Sequence, residues 1–154
     1  MVFQGYKKDE IASGMLETAL DLYFNKADGF SIIHLAAASE EVLAGLLKSK
    51  KKESLLFQTA REKAISALKE IHKVRGNNRT EKEIGTFFNF VRNKTKHHDN
   101  ENDSNEISIC LDLEVDSALS RAIENYVLYF SDPTEKMLRY INSISLYMSG
   151  RDHR

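Results

Sequence analysis

The stretch Phe30-Ser31-Ile32-Ile33-His34-Leu35-Ala36-Ala37-Ala38-Ser39-Glu40-Glu41-Val42-Leu43-Ala44-Gly45-Leu46-Leu47-Lys48 decides the fold. Wound into a helix, it is apolar on nearly every side, and such a helix belongs in the middle of a bundle. Its three consecutive alanines and Gly45 let neighbours approach closely. Ser31, His34, Ser39, Glu40 and Glu41 interrupt the apolar run, so it is a poor membrane span.

Working outward, Ile11, Met15, Ala19, Leu22 and Tyr23 recur at helical spacing and predict a first helix over residues 9–26. Asp28 is placed to cap the second. A third helix is expected over 53–73, with Leu56, Thr59, Ala60, Ala64, Ala67, Leu68 and Ile71 as its stripe and Gly76-Asn77-Asn78 as its stop. Thr80 and Glu83 have the form of a capping box. They open a fourth helix on which Ile84, Phe87, Phe88 and Val91 face the core.

From Ile107 the period changes. Ile107, Ile109, Leu111, Leu113 and Val115 alternate with Ser108, Cys110, Asp112 and Glu114, which reads as an extended segment near 107–115. A lone strand must pair with a second copy or a terminal segment; otherwise the segment is a loop laid over the core. Asp116 then caps a fifth helix, and Asp132-Pro133-Thr134-Glu135 starts a sixth with Asp132 as cap. The expected architecture is a single all-α domain over residues 1–154, a bundle of five to six helices with one short extended segment.

Composition narrows the function classes. A single cysteine, Cys110, excludes an internal disulfide framework and a cysteine-rich zinc site. Residues 1–10 lack the apolar core of a signal peptide, and the expectation is a cytoplasmic protein without membrane contact. The near-zero net charge conceals segregation. Residues 48–98 carry fourteen Lys and Arg against five Glu, while residues 99–116 carry seven acids and no Lys or Arg. A basic middle of this kind suits an anionic polymer, although lysines also serve simply as wet helix faces.

The chemistry concentrates in Phe87-Phe88-Asn89-Phe90-Val91-Arg92-Asn93-Lys94-Thr95-Lys96-His97-His98-Asp99-Asn100. Four residues separate Arg92 from His97 and five separate it from His98. This resembles the signature of the HEPN family (higher eukaryotes and prokaryotes nucleotide-binding domains): an Arg, usually followed by Asn, Asp or His, then a His a few residues on. The string from Ile32 to Leu43 is similar to the small-residue, acidic second helix of the same family. Many members are endoribonucleases, often toxins or antiviral factors; others only bind. Some HEPN toxins paired with nucleotidyltransferase antitoxins carry a Tyr two residues after the motif His. Here that place holds Asp99.

The resemblance implies metal-independent RNA cleavage in a composite site at a homodimer seam. RNA supplies its own nucleophile, the ribose 2′-hydroxyl. His97 is the expected base, with His98 as the alternative, because neutral imidazole accepts a proton near neutral pH. Arg92 is the expected phosphate clamp, and Asn93, one helical turn before His97, the orienting group. The product is a 2′,3′-cyclic phosphate. Arg75, Arg79, Lys82, Lys94 and Lys96 are the expected RNA contacts; Glu40 and Glu41 are placed to pair with cations of the motif helix unless one simply faces water, and Glu40 is the expected supporting carboxylate. No cofactor and no metal are expected; an antitoxin or other regulatory protein is a possible partner. Two other classes remain open: a non-catalytic HEPN-like module binding a nucleotide, RNA or protein partner, and a helical adaptor in which the motif is a salt-bridged helix end.

Overall fold

The computed structural model describes residues 3–51, 58–74, 76, 79–96 and 106–149. Among these it is all-helical, with seven helices: α1 (Lys8–Phe24), α2 (Gly29–Lys51), α3 (Ala60–Val74), α4 (Glu81–Phe88), α5 (Phe90–Lys96), α6 (Leu111–Phe130) and α7 (Glu135–Ser149). The count exceeds the expected five to six because the fourth predicted helix is broken at Asn89. There the backbone N–H turns back to Thr86 O at 3.2 Å, three residues away, so one α-helical bond is missing.

The apolar α2 takes the central place its sequence demands, packed chiefly against α1 and α6. Ile32, Ile33, Ala36 and Leu43 of α2 share one core with Leu16 and Leu20 of α1, Leu119, Ala122 and Ile123 of α6, and Met137 and Tyr140 of α7, which packs on α1. Each fully buried leucine contributes roughly 1.5–3 kcal/mol. Among the described residues α2 is the one helix long and apolar enough to cross a membrane, a property that the central helix of a bundle shares, and it buries Ser39 and Glu40. Ser39 is accommodated because its hydroxyl donates to Ala12 O of α1 at 2.8 Å.

The caps follow local chemistry. Asp28 Oδ2 accepts from Ser31 N at 2.7 Å and starts α2. Thr80 and Glu83 form a reciprocal box: Thr80 N donates to Glu83 Oε2 at 2.7 Å, and Glu83 N to Thr80 Oγ1 at 3.3 Å. A second box lies within the predicted stripe of the third helix. Thr59 N donates to Glu62 Oε2 at 2.9 Å and Glu62 N to Thr59 Oγ1 at 3.4 Å, so α3 begins at Ala60, with residues 58–59 non-helical, and not at 53. Residues 52–57 lie outside the described set. The α7 cap also moves. Thr134, not Asp132, accepts from Met137 N, at 3.4 Å, and Pro133 stands before the helix.

The strand-like reading of 107–115 is overturned. Residues 106–110 are neither helix nor strand, and α6 begins at Leu111 instead of after an Asp116 cap. The alternation misled because one side of it faces water: Leu113 is 66% exposed. Leu111, Val115, Ala118, Leu119 and Ala122 form a helical stripe toward the core. Asp112 and Glu114, which looked like the polar half of a strand, occupy the first turn, where the helix dipole favours carboxylates. Asp116 instead accepts from Tyr140 OH at 3.0 Å. Ile107 and Ile109 pack partly buried against the core, as a loop laid over it. Leu111 comes so near the start of α2 that a Cβ on Gly29 would lie 2.9 Å from its side chain.

Candidate functional site: a cleft between α2, α3, α4 and α5

Arg92 and Asn93 line a cleft of about 600 Å³. Glu40, Glu41, Gly45 and Lys48 of α2 form one wall. Arg61 and Glu62 of α3, with Lys82, Gly85 and Thr86 of α4, form the other. The break at Asn89 sits on its rim. In the amide orientation that satisfies both groups, Asn89 Oδ1 accepts from Arg61 Nη2 at 3.2 Å and Nη1 at 3.3 Å. Arg61 Nη2 also donates to Gly85 O at 2.8 Å. One guanidinium of α3 thus holds the end of α4 and the start of α5.

Glu40 and Glu41 divide the work differently from expectation. Glu40 turns away from the motif helix toward α6, where Arg121 Nε donates to its Oε2 at 3.0 Å; the two side chains are 9% and 11% exposed. Arg121 Nη1 reaches Ser117 Oγ at 2.5 Å, and its guanidinium lies 4.9 Å from the Phe88 ring centroid. Glu41, half-exposed, is the carboxylate that meets Arg92, through Nη1. Asn125, fully buried, joins three elements. Its Nδ2 donates to Glu40 O at 3.2 Å and its Oδ1 accepts from Ala60 N at 2.9 Å, docking the first turn of α3 onto α2 and α6.

The Arg92 side chain is 18% exposed, and its Nε is buried without a partner. The other acids of the cleft are matched as well: Glu62 lies 3.6 Å from Lys48, and Glu81 lies 2.8 Å from Lys69. With Glu40 on Arg121 and Glu41 on Arg92, every lining carboxylate already has a cation. The lining cations Arg61 and Lys82 are not used in those pairs.

Of the residues singled out in sequence, Arg92, Asn93, Lys82 and Glu40 come together in this cleft. Lys94 and Lys96 are exposed on α5, and Arg79 is exposed before α4; none of the three lines the cleft. Arg75, His97 and His98 lie outside the described residues. Sequence reasoning named both Glu40 and Glu41 as partners for the motif helix but preferred Glu40, and it missed Lys48 and Arg61 as site residues. Lys48 and Arg61 were visible only as members of a basic stretch.

His34 of α2 also meets the motif helix, with Nε2 2.8 Å from Thr95 Oγ1. Burial pushes its pKa below the ordinary 6.5; Lys96 and then Arg92 push it the same way, while Asp28 opposes them. Among the described residues no group of three His, Cys, Asp or Glu side chains is placed to hold a metal ion. The chain matches no protein-family model, no curated protein and no solved structure.

Proposed function

We propose that this chain is a metal-independent endoribonuclease of HEPN type that works as a homodimer. The observation that carries the reading is the shared cleft: Arg92 and Asn93 stand beside Lys48, Arg61 and Lys82, and each lining carboxylate is already neutralised. An RNA phosphate entering there meets surplus positive charge. It takes the Arg92 guanidinium by exchange with Glu41, whose half-exposed carboxylate can return to water.

In the reaction, the 2′-oxygen forms a bond to phosphorus and the P–O5′ bond breaks. The 2′ proton passes to an imidazole, His97 or His98, and the departing 5′-oxygen takes a proton from water, to which the imidazolium afterwards returns its own. Arg92 stabilises the charge gathered on the phosphoryl oxygens through paired N–H donors. Asn93 orients a phosphate oxygen or the imidazole. A toxin or antiviral role, restrained by an antitoxin or other regulatory protein, belongs to the same proposal.

One observation favours a second reading, a non-catalytic module that binds a nucleotide, RNA or protein partner. The Arg92 fork is occupied by Glu41, as in a salt-bridged structural arginine. Incubating the purified protein with mixed RNAs in chelator separates the two. The first reading expects fragments ending in 2′,3′-cyclic phosphate, lost in Arg92→Ala and reduced about a hundredfold to ten-thousandfold in His97→Ala. Binding without fragments supports the second. Cleavage that the Arg92 and His97 variants perform equally well defeats the assignment of the site.

A further inference from the structure

Among the described residues, two buried side-chain nitrogens lack a hydrogen-bond partner: Arg92 Nε and His34 Nδ1. They belong to the two helices that face each other along the α2–α5 contact. Buried polar atoms without partners are uncommon, and each asks for an explanation.

The state of His34 follows from hydrogen counting. Thr95 Oγ1 donates to Val91 O at 2.8 Å, with Arg92 O at 3.3 Å sharing the same proton. A hydroxyl has one hydrogen, so toward His34 it acts as acceptor. In that arrangement His34 Nε2 carries the proton and donates, at 2.8 Å, whereas the other tautomer would bury an N–H at Nδ1 without an acceptor. The ring is then neutral with a bare lone pair on Nδ1. A second proton would place a buried N–H where no acceptor stands, at a cost of about 1–3 kcal/mol. The charged groups around the ring are Asp28 at the start of α2, and Arg92 and Lys96 on α5.

This contact matters because α5 is short. A helix of seven residues has too few internal bonds to hold its own place. Its anchors to the bundle include the buried Val91, the Arg61–Asn89 contact at its start, the Arg92–Glu41 pair, and the His34–Thr95 bond in its last turn. Glu41 is the half-exposed member of the ion pair and the one a phosphate would displace. Once it leaves, the His34–Thr95 bond is the side-chain hydrogen bond to α2 that remains on that turn, beside the packing of Val91.

We propose that His34 is a positioning residue for the Arg92 cleft: through the Thr95 hydroxyl it holds the turn of α5 that carries Arg92 and Asn93 against α2. What that turn is positioned to do rests on the ribonuclease reading; the contact itself does not. Displacing a reacting group by about 1 Å costs on the order of a hundredfold in rate.

The test uses His34→Ala, His34→Gln, Thr95→Val and Thr95→Ser in the full chain, with a mixed-sequence single-stranded RNA as probe. Two readouts are taken: kcat and KM for cleavage as a function of pH, and the nitrogen-resolved NMR signal of the Arg92 Nε–H, assigned by its loss in Arg92→Ala. His34→Ala and Thr95→Val should shift the Arg92 signal alike and lower kcat about tenfold to hundredfold with little change in KM. Thr95→Ser and His34→Gln should keep the signal in place, since each retains the bonded group, and Gln should also remove the acid-side loss of kcat that protonation of His34 causes. If His34→Ala unfolds, Thr95→Val carries the comparison at nearly constant shape. An Arg92 signal unmoved in Thr95→Val overturns the proposal, as do Ser and Gln variants that behave like the Val and Ala ones. If the wild type does not cleave but the Arg92 signal follows the expected pattern, the ribonuclease reading fails and the positioning role stands.

Discussion

Replacing Arg121 by Leu should be among the most damaging single changes in the bundle. Arg121 and Glu40 meet at 3.0 Å with side chains 11% and 9% exposed. At that separation, and with an effective dielectric constant of about 20, the attraction is on the order of 5 kcal/mol. The lost Coulomb energy is not the whole effect. Leucine would leave Glu40 as an uncompensated carboxylate below the surface, a situation that costs about 3–5 kcal/mol. The bond to Ser117 and the contact with Phe88 disappear as well. Against a total stability of about 5–15 kcal/mol, that loss brings the chain close to the edge of folding. Urea titration followed by circular dichroism should show the midpoint falling with the slope unchanged. The second half of the experiment is Glu40→Leu combined with Arg121→Leu. Removing both charges should restore most of the stability, because a buried pair replaced by packed apolar groups is often neutral or better. A loss below about 1 kcal/mol in the single variant would mean that water reaches Glu40 as it reaches a surface carboxylate.

Three further outcomes are expected. Lowering pH should weaken wild-type folding more than it weakens His34→Gln: the folded pKa of His34 lies below its ordinary 6.5, so the unfolded chain binds more protons. Its contribution is complete above that ordinary value and lost progressively as pH falls toward the folded one, and a Gln variant with the same pH slope in chemical denaturation would contradict this. Thr80→Ala should cost about 1 kcal/mol through the α4 capping box, read as a lower urea midpoint; no change would mean the box is not formed in solution. Oligonucleotide binding should weaken steeply between low and physiological salt, with a shallower dependence in Arg61→Ala or Lys82→Ala; flat binding would reduce the segregated charge to surface solvation.

Much of the bundle was legible because its signals are local. The all-round apolar run of α2 and the Asp28 and Thr80–Glu83 caps depend on residues within a few positions of one another. The start of α6 was misread because Leu111, Leu113 and Val115 satisfy a two-residue period and, without Leu113, a helical one as well. Only packing against Gly29 and the core decides between them. The cleft was half legible. Arg92, Asn93 and Lys82 stood out by type and spacing, yet the choice between Glu40 and Glu41 turns on about 100° of helix rotation. Arg61 meets Asn89, and His34 meets Thr95, across tens of residues. No pattern in a single chain reports such meetings.

Asn125 has a consequence for how the molecule opens. Within the described residues α3 buries only Ala60, and α3 packs more on α4 than on α6. Their side-chain ties to α2 and α6 include the Asn125 amide at the first turn of α3, the half-exposed Lys48–Glu62 and Lys63–Glu124 pairs, and Arg121 against Phe88. Such a hairpin behaves as its own foldon, with amide hydrogens that exchange at a lower free energy than those of α1, α2 and α6. The cleft is the seam between that weaker unit and the stronger one. On the ribonuclease reading, a strand of nucleic acid too wide for about 600 Å³ would be admitted by hinging the hairpin away without melting the core, and the Asn125 bonds are part of the free energy that hinging requires.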